Sequence, residues 1–109
     1  MRVIAGISKG RKLKVPKGPD IRPITDNIKE ALFYTIGPYL EGKTFLDLFA
    51  GSGAVGIEAL SRLAEKAVFV EINPQAVSVL KENLETCQLS SRARVIRGDV
   101  FRVVDQLAR

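Results

Sequence analysis

Three observations predict an α/β fold built on a parallel, Rossmann-like sheet. An apolar strand over residues 45–49 runs into Gly51, Gly53 and Gly56 in G-x-G-x-x-G spacing, and Ile57, Leu60 and Leu63 follow at helical intervals. A second apolar strand, 67–71, is followed by Asn73-Pro74, a capping side chain and a proline placed for the first turn of a helix. A third, 94–97, turns at Gly98-Asp99 into a helix over 100–107. Three strand–helix units in succession require parallel strands with right-handed crossovers.

The 109 residues make about one domain, and 46% hydrophobic with 27% charged residues is ordinary for a globular protein. No apolar run approaches the roughly 20 residues of a membrane span, and the start has no secretory leader, so a cytoplasmic location is expected. Cys87 is the single cysteine, which excludes an internal disulfide; it falls late in a helical pattern and reads as a packing residue. The absence of histidine removes the commonest general base and metal ligand.

The net charge of +5 is concentrated at one end. Residues 1–22 carry seven basic side chains against Asp20, or +6, and the other 87 residues carry ten basic and eleven acidic groups, or −1. Such a block binds phosphates through counterion release, or it keeps an edge hairpin soluble and unpaired.

In chain order, 2–5 and 12–15 read as two short strands around a connection containing Gly6 and Gly10, a basic hairpin with Leu13 and Val15 inward and Arg2, Lys12 and Lys14 outward. A proline- and glycine-rich connector follows, so residues 1–22 are expected to form a basic arm and linker and 23–109 the Rossmann-like part. From Thr25 the period becomes helical, with Thr25 or Asn27 as cap and Ile28, Ala31, Leu32, Thr35 and Ile36 as the inward stripe; Gly37-Pro38 stops it. The stretch 37–44 satisfies G-x-x-x-x-G-K-T, but a phosphate-binding loop follows a strand and opens a helix, whereas this one follows a helix and opens a strand. It reads as a connecting loop. The strand 67–71 and the helices at 53–64 and from Pro74 complete the pattern, with Val77, Leu80 and Leu84 as the buried face of the latter.

Three acids stand at the carboxyl ends of the strands, where open parallel sheets bind ligands: Asp47, Glu71 and Asp99. Glu71, 15 residues after Gly56, is placed to accept from both hydroxyls of a ribose, at about 1.5–3 kcal/mol per charge-assisted bond, and would repel a 2′-phosphate. NAD and S-adenosylmethionine both fit Glu71. They differ at the glycine turn, where a dinucleotide places a pyrophosphate and S-adenosylmethionine an ammonium and a sulfonium, for which Asp47 is a counter-charge. Asp99 and the amide of Val100 can read an adenine edge. Each acid also has a plain alternative as a helix cap or loop charge, and together they favour a methyltransferase site.

The runs Arg2-Val-Ile-Ala-Gly6, Lys9-Gly10-Arg11-Lys12-Leu13, Arg22-Pro23, Glu30-Ala-Leu-Phe33, the stretch from Phe45 to Gly53, Glu58-Ala-Leu-Ser-Arg62, Glu71 and Gly98-Asp99-Val100 resemble the RsmD family of bacterial 16S ribosomal RNA guanine-N2 methyltransferases. The resemblance spans essentially the whole chain. It implies the class I S-adenosylmethionine-dependent methyltransferase fold, S-adenosylmethionine as donor, a guanine of 16S rRNA or the assembling small subunit as acceptor, and an RNA-engaging arm of Arg2, Lys9, Arg11, Lys12, Lys14 and Arg22. Asp47, Gly51, Gly53 and Glu71 would hold the methionine and ribose, Asp99 and Val100 the adenine; Ala50, Ser52, Gly56 and Ile72 complete the expected donor site.

The chain departs from the family pattern at two places. Ile24 stands where the family reads Arg-Pro-Thr, with Thr25 next, and the Asp/Asn-Pro-Pro-Tyr/Phe motif that receives the guanine lies beyond Arg109. No catalytic residue is therefore expected within these residues, nor activity from this chain alone, and self-association through an exposed edge of strand 45–49 is expected. A non-enzymatic RNA-binding module, with RNA affinity and no donor binding, is the alternative class; an NAD-dependent fragment is a third.

Overall fold

The computed structural model describes residues 1–16 and 24–108. Its elements run α1 (Asp26–Ile36), β1 (Thr44–Asp47), α2 (Ala54–Ser61), β2 (Lys66–Glu71), α3 (Pro74–Thr86), a single 3-10 turn (Ser90–Arg92), β3 (Ala93–Arg97) and α4 (Val100–Leu107). The strands form one parallel sheet in the order β1-β2-β3, with Phe45 beside Ala67 and Val68 beside Arg94. The chain thus has the Rossmann-like α/β fold read from the sequence. Among the described residues β1 pairs with β2 alone and forms an edge of the sheet.

One face of the sheet carries the main core. Phe69 of β2, Ile57 and Leu60 of α2, Leu80 and Leu84 of α3 and Phe33 of α1 are buried in one cluster, and the Phe33 and Phe45 rings stack with centroids 6.2 Å apart. Val70, which strand alternation turns away from Phe69, is buried outside that cluster, as is Val103 of α4. Cys87 is buried in the core, and burial raises its thiol pKa, in keeping with a packing role and an unreactive sulfur.

Thr25 caps α1, accepting from the Ile28 amide, but the inward face of that helix differs from the expected stripe. Lys29 and Phe33 are buried, Leu32 is half-buried, and Ile28, Ala31, Thr35 and Ile36 face solvent. The helix is turned by one residue because a lysine, which reads as an outer position, is drawn in by buried Glu58 at 3.2 Å.

Helix α2 ends earlier than the expected 53–64, and α2 and α3 end in the same way. After α2, Leu63 adopts φ +77° while the Leu63 and Ala64 amides donate back to the Leu60 and Ala59 carbonyls. After α3, Gln88 at φ +58° and Leu89 repeat the arrangement on Glu85 and Leu84. Both are Schellman closures, built here without the usual glycine.

The basic arm is a turn rather than two strands. It has one antiparallel bridge, Arg2 to Lys12, supported by Val3 donating to the Arg11 carbonyl, Gly10 to Val3 and Leu13 to Met1. The remaining ladder groups are diverted to the domain: Ile4 and Ala5 donate to Glu58, and Lys14 donates to Asn83. Val3 and Leu13 are buried and Val15 is half-buried, while Arg2, Lys12 and Lys14 face outward. Gly6, at φ +89°, lies so close to α2 that an added Cβ would meet the Ser61 carbonyl at 1.8 Å.

Candidate donor site

The site lies at the carboxyl ends of the strands, where each strand gives way to a helix. β1 stops at Asp47 and the chain turns through Ala50, Gly51 and Ser52 into α2, capped by Gly53 in the left-handed region at φ +88°. Gly51 also has positive φ, +55°, and nothing stands within 4 Å of where its Cβ would be. Gly56 has another task. A Cβ there would meet the Phe69 ring at 2.3 Å, so its missing side chain is what lets α2 lie close on β2. The three glycines of one motif divide into one that leaves the turn open beside the cavity, one that starts the helix and one that packs it.

Two cavities adjoin at this edge. The larger, about 380 Å³, lies within the range of roughly 300–1,000 Å³ usual for small-molecule sites, and Asp47, Ala50, Gly51 and Ser52 are among its walls. The smaller, about 180 Å³, is walled by Ile72, Asp99, Val100 and Phe101 with their neighbours. Glu71 and Phe49 border both. Eight of the ten expected donor-site residues thus line one cavity or the other, and Gly53 and Gly56 stand behind the wall.

The three acids differ in their partners. Glu71 accepts from the Gly51 amide at 2.8 Å through Oε1 and from the Asn73 amide at 2.9 Å through Oε2, which fixes its plane at the junction of the cavities. Each oxygen keeps one lone pair, and two remaining acceptors suit the paired hydroxyls of a ribose. Asp99 caps α4, its Oδ1 accepting from the Phe101 and Arg102 amides, so the plain capping role holds and Oδ2 is left over. Asp47 accepts from the Gly56 amide at 3.3 Å through Oδ2. Burial raises its pKa above the ordinary value, backbone bonds from Gly56 and Phe49 oppose this, and the charge of Glu71 adds to the rise. Among the described residues neither Asp47 nor Glu71 is in an ion pair.

Sequence reasoning missed several wall residues. Phe49 is 78% exposed at the mouth of both cavities, although it reads as a strand residue. Pro16 and Ile24 are among the walls of the larger cavity, which brings residues on either side of 17–23 to it. An aromatic directly before the glycine turn was the available signal for the first. The second had no signal in spacing. The G-x-x-x-x-G-K-T stretch follows α1 and opens β1, as its context required.

The described arm cations Arg2, Lys9, Arg11, Lys12 and Lys14 are all exposed, and Lys14 pairs with Glu82 of α3. Arg22 lies outside the described residues.

The family model described as Conserved hypothetical protein 95 matches residues 1–109. The chain belongs to this family, the RsmD family. The Bacillus subtilis protein YlbH is 49% identical over 109 residues, all of this chain and 59% of the relative. A Haemophilus influenzae protein named Ribosomal RNA small subunit methyltransferase D is 46% identical over 97 residues, 88% of this chain and 50% of the relative. The solved structure of Escherichia coli yhhF superposes with a TM-score of 0.82 at 39% identity, covering 94% of this chain and 55% of that one. The chain therefore spans about half to three fifths of the length of these relatives.

Proposed function

We propose that the paired cavities hold S-adenosylmethionine, and that the whole protein transfers its methyl group to the N2 amine of a guanine in small-subunit ribosomal RNA. The observation that carries this is Glu71 standing where two cavities meet, with Asp47 in one and Asp99 in the other. The spacing of acids matches a cationic methionine end, a ribose diol and an adenine. When bound, the donor supplies an electrophilic methyl on a sulfonium. The chain's own residues bind and orient it. Asp47, half-buried and without a cation partner among the described residues, receives the ammonium end; the free lone pairs of Glu71 take the ribose hydroxyls; Asp99 Oδ2 accepts from the adenine amine, with the Val100 amide beside it. Gly51, open and at positive φ, lets the turn approach the ligand closely. A pyrophosphate at the glycine turn would instead bring negative charge near Asp47, which disfavours a dinucleotide.

The exposed arm cations are the RNA-facing surface in this reading, each phosphate contact contributing to a steep salt dependence. In this reading the described residues provide the donor site and the arm, and the chain alone is expected to bind the donor without transferring its methyl group. The edge of β1, with Leu46 half exposed, then pairs with a second copy.

The test is incubation of the chain with methyl-labelled S-adenosylmethionine and 16S rRNA, followed by nucleoside analysis. Retained donor without labelled nucleoside is the expected result, and N2-methylguanosine is expected once the guanine-receiving motif is supplied. Label at another nucleoside position would overturn the assignment.

A further inference from the structure

Asn83 on α3 is 1% exposed, and its side-chain amide is fully engaged. Its Oδ1 accepts from the Lys14 amide at 2.8 Å; its Nδ2 donates to the Lys14 carbonyl and to the Ser52 carbonyl, both at 3.0 Å. Nδ2 has two hydrogens, so the arm takes one and the glycine turn the other. Toward Lys14 the amide acts as a strand neighbour would, satisfying both backbone groups of one residue. Toward Ser52 it grips a wall of the larger cavity. Pro16, two residues beyond Lys14, walls the same cavity.

The connection has little slack. A buried amide that loses a partner gains no water in exchange, so displacement of the Ser52 carbonyl is felt at Lys14 and the reverse. The neighbouring Glu82 pairs with the Lys14 ammonium, so one turn of α3 holds both the backbone and the charge of this arm residue. A ligand that immobilises the glycine turn orients Asn83, and Asn83 orients the arm strand carrying Lys12 and Lys14.

We propose that Asn83 is a positioning residue that couples the two ligands: donor in the cavity favours the arm geometry that meets RNA, and RNA on the arm tightens the donor. The inference rests on the donor-site and RNA-arm reading above. Coupling between two sites is reciprocal, so both effects are one free energy seen from two sides.

The test is hydrogen exchange on the unaltered chain with and without saturating S-adenosylhomocysteine. The Lys14 amide, which donates to Asn83, slows by about 5-fold more than the Ile4 and Ala5 amides, which donate to Glu58 and report general stabilisation. Equal slowing of both sets with ligand bound would overturn the coupling. In parallel, S-adenosylhomocysteine tightens binding of a 16S rRNA transcript by about 5-fold, the low end of typical coupling. Asn83→Asp keeps the acceptor for Lys14 and loses both donors, so each ligand still binds but the mutual effect disappears. A variant that retains the full mutual effect contradicts the proposal. If S-adenosylhomocysteine does not bind the folded chain at all, the donor-site reading fails first and the coupling falls with it.

Discussion

Glu58 and Asp47 are carboxylates of the same sheet–helix unit treated in opposite ways. Glu58 is fully buried and closed: it accepts from the Ile4 and Ala5 amides at 2.9 and 3.1 Å, from Arg62 Nε at 2.8 Å, and meets Lys29 Nζ at 3.2 Å. Lys29 in turn donates to the Arg2 carbonyl at 2.6 Å, and Arg62 lies 4.9 Å over the Phe33 ring. Asp47 is half-buried and has backbone donors but no cation among the described residues; desolvation raises its pKa, the backbone donors oppose the rise and the Glu71 charge adds to it. The charge of Glu58 is neutralised within the fold, whereas in the proposed reading that of Asp47 is left for a ligand to neutralise. The first ties the arm to α1 and α2.

Four changes break or sharpen that contrast. The largest effect is expected from Glu58→Ala, which leaves Arg62 buried without its counter-charge and Lys29 with only Asp26 at 4.0 Å, and costs about 3–5 kcal/mol in urea unfolding. A loss below about 1 kcal/mol would mean the cluster is not what anchors the arm.

Asp47→Asn should act in the reverse sense. It weakens S-adenosylmethionine by about 10- to 100-fold, the equivalent of one lost charge-assisted interaction, while the ligand-free protein becomes more stable near neutral pH. The sign follows from the raised pKa. The folded chain holds this proton more tightly than the unfolded chain, so stability is present below the ordinary value of 3.8 and is lost as pH rises through the raised value. The asparagine variant lacks that pH-dependent loss, which urea melts across acidic pH would reveal.

A smaller effect is expected at the surface. Lys12→Ala should weaken 16S rRNA binding without altering donor affinity, and reduce the slope of log affinity against log salt by about 1. Smallest in energy is Leu46→Lys on the edge strand, expected to shift sedimentation toward monomer with the melting temperature nearly unchanged. Unaltered self-association would place the contact elsewhere.

Much of this was legible because it depends on local pattern. Asn73-Pro74 marks the start of α3, whose cap accepts from the Gln75 and Ala76 amides, and the strand–glycine–helix order marks the turn at the cavity. Glu71 and Asp99, read as standing beyond strand ends, do line the cavities at that edge of the sheet. What stayed hidden depends on partners remote in sequence. Lys29 on an inner helix face is intelligible only with Glu58 and Arg62 beside it, and the short arm bridge only with Glu58 and Asn83 competing for its amides. The ends of α2 and α3 carry Leu63 and Gln88 where glycine is the usual marker, so the expected 53–64 ran past the end of α2 and the end of α3 had no signal. In the glycine motif, spacing alone could not distinguish Gly51, which faces the cavity, from Gly56, which makes room for Phe69.

The most direct measurement is calorimetric titration of the chain with S-adenosylmethionine, S-adenosylhomocysteine and NAD under one set of conditions. An open carboxylate pair awaiting a cation and a ribose predicts binding of the first two and none of NAD. Binding of NAD alone, or of no ligand to a demonstrably folded chain, would contradict the account.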